Sequence, residues 1–306
     1  MMGCCDGRVV IVTGAGRGLG RAHALAFAAE GAHVLVNDLG ATGDGSQPGS
    51  DDAATAVAEE INAAGGSAAV NHADVADWDQ AGAMVAQAID TWGRLDTLVC
   101  NAGFLRDRML VNMSEQEWDA VVRVHLKGHF APARHAVGHW RERQKASGDP
   151  PVARIVNTSS GAGLMGSIGQ GNYVAAKGAI ASLTIQQAAE WGRYGVLANA
   201  IAPDARTRMT AVIPDYPAAP ADGWDPKAPE NVSPLVVWLG SAACDVTGRV
   251  FECTAGQLNV CDGWQHGPVV SVGERPMTVA EAGDLVRRSV GAEQPPAPVF
   301  GTRLPG

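Results

Sequence analysis

A five-residue β-branched run, Val9-Val-Ile-Val-Thr13, passes directly into Thr13-Gly-Ala-Gly-Arg-Gly-Leu-Gly20, and no other feature restricts the fold as much. The run has the length and side chains of a buried strand. The Ala-rich, apolar-periodic residues 18–30 behind it predict a helix closed by Gly31. Glycines at 14, 16, 18 and 20 let backbone N–H groups come close to an anion, and the helix N-terminus adds roughly half a positive charge. A flexible surface turn uses the same residues. With a strand before it and a helix after it, the run predicts a pyrophosphate cradle.

The alternation continues along the chain. Val34–Asn37 reads as a strand, followed by a polar, Gly-rich insertion through about residue 50. Residues 51–64 read as a helix, Ala68–His72 as a weaker strand, Asp77 to about Trp92 as a helix and Leu95–Cys100 as a strand. Ser114-x-x-Glu117 is a capping box ahead of a long helix reaching Gly128 or beyond. Arg154–Thr158, Gly171–Tyr194 and Val196–Ile201 follow as strand, helix and strand. Repeated β-α-β with short links predicts an α/β, doubly wound parallel sheet of Rossmann-like plan, in one catalytic domain over residues 1–264. Seven prolines interrupt 203–234, so 204–233 reads as a lid over the substrate. A helix at about 234–242 and a strand at Arg249–Cys253 complete the domain. Residues 265–306 form an extension, with a helix from the Thr278-x-x-Glu281 cap to near Val290 and a Pro-rich tail at 292–306.

Composition narrows the partners. The 306 residues carry a net charge of −9, which argues against nucleic acid. No apolar run is long enough for a membrane span. Six cysteines, at 4, 5, 100, 244, 253 and 261, show no C-x-x-C spacing; no metal centre is expected, and the thiols read as reduced ones in a cytoplasmic protein. The opening Met-Met-Gly-Cys-Cys-Asp lacks the order of a signal peptide, and the closing Leu-Pro-Gly is not a peroxisomal address.

The chemistry sits at a few positions. Asp38 follows the second strand, 18 residues after Gly20. A carboxylate there accepts hydrogen bonds from adenosine ribose hydroxyls and repels a 2′-phosphate, which favours NAD over NADP. Arg17 in the cradle argues the other way. A turn residue after a strand is the bland alternative for Asp38. Tyr173 and Lys177 lie four apart on a predicted helix and so share a face. A nearby ammonium lowers the pKa of a phenol, which is otherwise too high for a base at neutral pH. Lys177 also suits ribose hydroxyls; a half-buried Tyr beside a solvated Lys is the structural alternative. Ser160, 13 residues before Tyr173 and just past a strand end, suits the substrate oxygen, with Ser159 its neighbour and competitor.

Taken together these residues resemble the short-chain dehydrogenase/reductase family over roughly residues 7–260. The likeness rests on Thr13–Gly20, Asp38, Asp74-Val75, Asn101-Ala102-Gly103, Ser160, Tyr173-x-x-x-Lys177 and Asn199-Ala-Ile-Ala-Pro203. It implies a homodimeric or homotetrameric alcohol dehydrogenase with Ser160, Tyr173 and Lys177 catalytic. It also implies dinucleotide contacts from Gly14, Arg17, Gly18, Leu19, Gly20, Asp38, Asp74, Val75, Asn101, Ala102, Gly103, Tyr173, Lys177, Pro203 and Thr207. Asp74 would meet adenine and Thr207 the carboxamide. Val36-Asn-Asp-Leu-Gly, Asn101-Ala-Gly-Phe-Leu-Arg-Asp-Arg, Arg123-Val-His-Leu-Lys-Gly and Ile201-Ala-Pro-Asp-Ala-Arg-Thr-Arg-Met-Thr look like the (3R)-hydroxyacyl-CoA dehydrogenase and 17β-hydroxysteroid dehydrogenase branch. That implies an acyl-CoA or a steroid as small-molecule substrate.

Three positions depart from the common pattern. His125 stands where many members have a proton-relaying Asn, and an imidazole there is either a relay or structural. Cys100 replaces an Asn, and Asp204 replaces the Gly after Pro203. Arg106, Arg108, Arg206 and Arg208 suit CoA phosphates or surface salt bridges. Met209, Val212, Ile213, Tyr216 and Trp224 suit either a pocket wall or loop packing. An NADPH-dependent ketoreductase and a non-catalytic cofactor-binding regulator remain the alternatives.

Overall fold

Strand β1 (Val9–Thr13) is buried at all five positions, and its alternate side chains serve two different cores. Val10 and Val12 face one layer with Phe27, Val34, Val36, Val99, Val156 and Leu239. Val9 and Ile11 face the other with Leu35, Leu98, Cys100, Met84, Ile155 and Trp140. Continuous apolar strands of this kind belong inside a sheet covered on both faces, where each such side chain contributes roughly 1.5–3 kcal/mol by leaving water. The computed structural model describes residues 3–41, 45, 52–210, 216–261, 263 and 269–290.

The remaining elements are α1 (Gly18–Ala29), β2 (His33–Asn37), α2 (Asp52–Ala63), β3 (Ser67–Asn71), α3 (Trp78–Trp92), β4 (Thr97–Cys100), α4 (Glu115–Val122), α5 (Gly128–Ser147), β5 (Ala153–Thr158), α6 (Gly161–Met165), α7 (Gly171–Trp191), β6 (Val196–Pro203), α8 (Ser233–Gly240), β7 (Val250–Thr254), β8 (Gln257–Cys261) and α9 (Val279–Val290). The sheet order is β3-β2-β1-β4-β5-β6-β7-β8. The first seven strands are parallel and β8 runs antiparallel to β7. This is the single-domain, doubly wound plan read from the β-α-β repeats. Strand order reverses between β1 and β4, so the loops leaving these two strands part and open a crevice at their C-terminal ends.

Local signals explain most boundaries. Asp77 caps α3 by accepting from Gln80 N, and Gly93 closes it in the left-handed region. The Ser114/Glu117 capping box is formed. The helix beyond it is not continuous: α4 ends at Val122, a π-helical turn spans Arg123–Lys127, and α5 follows. The π-turn buries His125 while Arg123 and Lys127 stay exposed. Neither β8 nor α6 was expected from the sequence. The end of the insertion near residue 50, Val212, Ile213 and the tail at 292–306 lie outside the described residues. No helix among the described residues is long and apolar enough to cross a membrane.

Candidate active site

The crevice is lined by the expected cradle. Gly18 has φ +53, a conformation that disfavours side chains, and a Cβ on Gly20 would lie 2.1 Å from Gly14 O. Among the described residues no side chain caps the N-terminus of α1, and its first turn holds no acid, which suits its helix N–H donors to an incoming anion. Asn101 closes the floor: its Nδ2 donates to Thr13 O at 2.9 Å, and its backbone N donates to Thr13 Oγ1 at 2.9 Å. Asp38 accepts from Gly16 N at 2.9 Å and Gly40 N at 2.8 Å, so its carboxylate is fixed on the cavity wall. A cavity of about 370 Å³ opens here, lined by Gly14, Arg17, Gly18, Leu19, Gly20, Asp38, Asp74, Val75, Asn101, Ala102, Gly103 and Thr207 among others. Thr207 lies against Gly18, 3.4 Å from where its Cβ would stand. Asp74 accepts from Ala76 N and is ion-paired with Arg123 at 2.6 Å. A dinucleotide fits this donor set: free helix N–H groups for a pyrophosphate and an oriented carboxylate for ribose hydroxyls.

A second cavity of about 280 Å³ shares Leu19, Asn101, Gly103, Thr207 and Met209 with the first, so the two form one cleft. It contains Ser160, Tyr173, Lys177, His125 and Pro203. Burial pushes the Tyr173 phenol above its usual value, and a side-chain hydrogen bond with Ser160 pulls it back down. Lys177 is buried; loss of water brings its ammonium down to about 7. Its Nζ donates to Thr158 O at 2.6 Å and sits 5.6 Å from the Tyr173 ring centroid. The sequence suggested an ammonium near the phenol that also suits ribose hydroxyls; in the structure one of its three N–H donors goes to the end of β5. Ser159 and Ser160 separate cleanly. Ser159 is buried with its Oγ donating to Lys177 O at 2.9 Å, whereas Ser160 Oγ caps α6 through Ala162 N and meets Tyr173.

His125 is held between Phe104 O at 2.8 Å and Phe104 N at 3.2 Å, both from Nε2, and its ring meets Tyr173 edge-on at 5.2 Å. One nitrogen cannot serve both contacts at once; the shorter has Nε2–H donating to the carbonyl. Burial, with Lys177 close by, holds the imidazole well below 6.5, so it is neutral at neutral pH. Nδ1 is buried without a protein partner among the described residues.

Sequence reasoning missed Asn172 and His129 here. Asn172 donates to Arg106 O and Glu117 O and accepts from Tyr173 N, pinning α7 to the loop after β4. His129 accepts from Thr158 N, and Thr13 receives the Asn101 turn. Neither Asn172 nor His129 belongs to a spacing that a single sequence displays; Asn172 merely adjoins Tyr173, whereas Thr13 opens the Gly-rich run. The arginines divide. Arg108 pairs with Glu117 and Arg206 with Asp225; Arg106 lies over the Phe104 ring, and exposed Arg208 lines the first cavity. Met209 and Tyr216 line the second cavity, but Trp224 is 65% exposed and does not.

The fold and the joined cavities define a nicotinamide-dinucleotide oxidoreductase acting on CH–OH groups. The chain belongs to the short chain dehydrogenase family, whose model matches residues 8–216. Hydroxyacyl-CoA dehydrogenase ChsB1 of Mycobacterium tuberculosis is 48% identical over 264 residues, covering 83% of this chain and 80% of that protein. Peroxisomal multifunctional enzyme type 2 of Mus musculus is 42% identical over 89% of this chain, which spans 35% of that longer protein. A short chain dehydrogenase from Mycobacterium avium superposes with TM-score 0.86 at 57% identity, over 98% of this chain and 100% of that one.

Proposed function

We propose that this chain oxidises the secondary alcohol of a 3-hydroxyacyl-CoA with NAD, Tyr173 removing the hydroxyl proton. The observation that carries the reading is that Ser160 and Tyr173 line one cavity, with Lys177 one helical turn on, and that this cavity shares walls with the dinucleotide cradle. The acyl-CoA class is supported by the name of the Mycobacterium tuberculosis relative, a hydroxyacyl-CoA dehydrogenase, and NAD by the Asp38 carboxylate on the cradle wall.

Ser160 Oγ and Tyr173 Oη hold the alcohol oxygen between them. Tyr173 takes the hydroxyl proton as the carbinol C–H becomes a carbonyl carbon; bound in the first cavity, the dinucleotide supplies the hydride acceptor. Lys177, anchored on Thr158 O, sets a positive field beside the phenol whenever it is protonated. His125 is neutral and fixed to Phe104, and its ring packs edge-on against the tyrosine.

The test is an activity panel of (3R)-hydroxyacyl-CoAs and 17β-hydroxysteroids with NAD and with NADP, read by the absorbance of the reduced nicotinamide. Thioester oxidation with NAD is expected. Tyr173→Phe is expected to lower kcat by about 10²–10⁴-fold, the range that general acid–base catalysis contributes. Full turnover by that variant would exclude Tyr173 as the base, and steroid-only activity would exclude the thioester.

A further inference from the structure

The segment leaving β6 carries opposite charges two residues apart, and each finds its complement in the stretch 216–227. Asp204 Oδ1 accepts from Tyr216 Oη at 2.8 Å, while Oδ2 is ion-paired with Lys227 and lies 3.4 Å from Thr254 Oγ1. Lys227 Nζ also donates to Thr254 Oγ1 at 3.0 Å. Arg206 is ion-paired with Asp225, and its Nε and Nη2 donate to Pro217 O at 3.1 and 3.0 Å. The backbone closes the same arrangement: Asp204 N donates to Cys253 O at 3.0 Å and Arg206 N to Lys227 O at 2.6 Å.

Two features set this ladder apart from ordinary surface salt bridges. The first is its sign pattern. Acid meets base at Asp204–Lys227 and base meets acid at Arg206–Asp225, so slipping the stretch to swap partners sets Asp204 against Asp225 and Arg206 against Lys227. Like charges then oppose each other on both rungs, which penalises that swapped register. The second is position. Asp204, Tyr216 and Thr254 line the same cavity as Ser160 and Tyr173, while Arg206, Asp225 and Lys227 do not line it. Three of the four charges therefore stand behind the wall, while Asp204 and the tyrosine it holds stand in it. Glycine at position 204, as in the wider pattern, would offer no side chain to either partner.

We propose that this two-rung ladder is a specificity device, fixing Tyr216 as a rigid wall of the alcohol cavity so that the acyl chains admitted are set before the substrate arrives. The proposal rests on reading that cavity as the alcohol site. Tyr216 Oη already donates to a carboxylate shared with Lys227 and Thr254, so its hydroxyl is committed and the residue acts by shape. Asp204 is a positioning residue here, acting through Tyr216.

The test uses the full chain carrying Asp204→Lys, Lys227→Asp, the double swap of both, and Tyr216→Phe. KM and kcat are measured with a short-chain and a long-chain 3-hydroxyacyl-CoA. Each single reversal is expected to change the long-to-short KM ratio by about tenfold, the equivalent of about 1.4 kcal/mol, and mainly in KM. NAD affinity, read by tryptophan fluorescence, is expected to stay within about twofold of wild type and reports that the variants are folded. The double swap is expected to restore most of the ratio, and the part not restored should match Tyr216→Phe. A ratio unchanged in every variant, or a double swap no better than the singles, overturns the proposal. Limited proteolysis supplies a readout independent of substrate. Cleavage within 216–228 is expected in the singles and not in wild type or the swap, and equal resistance in all four overturns the ladder. If wild type oxidises neither thioester, the reading of the cavity fails and the specificity claim with it, while proteolysis still decides whether the ladder holds the segment.

Discussion

Replacing Lys177 by Met is expected to stabilise the cofactor-free protein while abolishing its chemistry. The side chain is 2% exposed, and burial brings its ammonium from 10.5 down to about 7. At about 1.4 kcal/mol per pKa unit, this is a folding cost of roughly 4–5 kcal/mol. Below the folded value both folded and unfolded chains carry the charge, and the folded chain bears the whole cost. Between 7 and 10.5 the folded lysine is neutral while the unfolded one still binds its proton, so stability climbs with pH; above 10.5 the cost is gone. The groups facing Lys177 do not blur this window. His125 and His129 stay neutral throughout it, and the Cys100 thiol and Tyr173 phenol, both raised by burial, are shared by wild type and variant, so their titration in the unfolded chain drops out of the difference. Met fills a similar volume, but it forfeits the hydrogen bond to Thr158 O, worth about 1.5–3 kcal/mol for a charged donor. The net gain is about 1–3 kcal/mol near neutral pH, or roughly 2–8 °C in Tm for a domain of this size. Thermal melts of wild type and variant at about pH 6, 8 and 10 would show it, with the gap widest at the lowest pH and nearly closed at the highest. A variant that melts below wild type at the lowest pH, or a gap independent of pH, would refute the reasoning.

Other outcomes follow from the same structure. Burial depresses His23 and His129 to about 3 and His125 well below 6.5. Each is neutral when folded, so stability is expected to fall as pH drops below 6.5, by up to about 1.4 kcal/mol per unit per histidine; urea midpoints at neutral and mildly acid pH check this, and a flat profile speaks against it. Asp38→Ala removes the carboxylate that faces the cradle and pins Gly16 N and Gly40 N, and should weaken NAD binding about tenfold while narrowing the preference over NADP; titration with both dinucleotides decides. Gly103→Ala would place its Cβ 2.1 Å from His125 Cε1, a clash expected to cost roughly 3 kcal/mol or more in denaturant melts. Adding His125→Ala should recover most of that loss, and no recovery would mean that the clash lies elsewhere.

The fold was legible because its signals are local and redundant. β-branched runs, the Gly-rich turn after β1 and the caps at Asp77 and Ser114 each name an element, and their alternation names the sheet. The π-turn at Arg123–Lys127 was not legible, since its residues suit an α-helix equally well and tertiary burial of His125 decides the matter. β8 was missed because Gln257–Cys261 is an edge strand with four exposed residues and only a short apolar pattern. At the site, Tyr173 and Lys177 could be paired from helical spacing, but where Lys177 donates could not. That depends on Thr158, 19 residues away at the end of another element. What Ser159 and Ser160 each bond was likewise not legible, because it depends on strand phase at the end of β5: Ser159 Oγ donates to Lys177 O, and Ser160 Oγ accepts from Ala162 N.

The depressed lysine also links stability to chemistry. In the ligand-free protein His125, His129, Cys100 and Tyr173 are all neutral at neutral pH, while Lys177 sits near its midpoint. It is thus the group in this cluster whose charge a modest change of surroundings can switch. Any negative charge brought within about 6 Å raises its pKa again and favours the ammonium, which in turn favours ionisation of the neighbouring phenol. The low dielectric that makes Lys177 expensive to bury also makes its field strong at Tyr173, because desolvation and Coulomb attraction grow together as water is excluded. A substitution that removes the cost therefore removes the field. The expected stability of Lys177→Met and its expected inactivity are two readings of one burial, and finding either without the other would break the link.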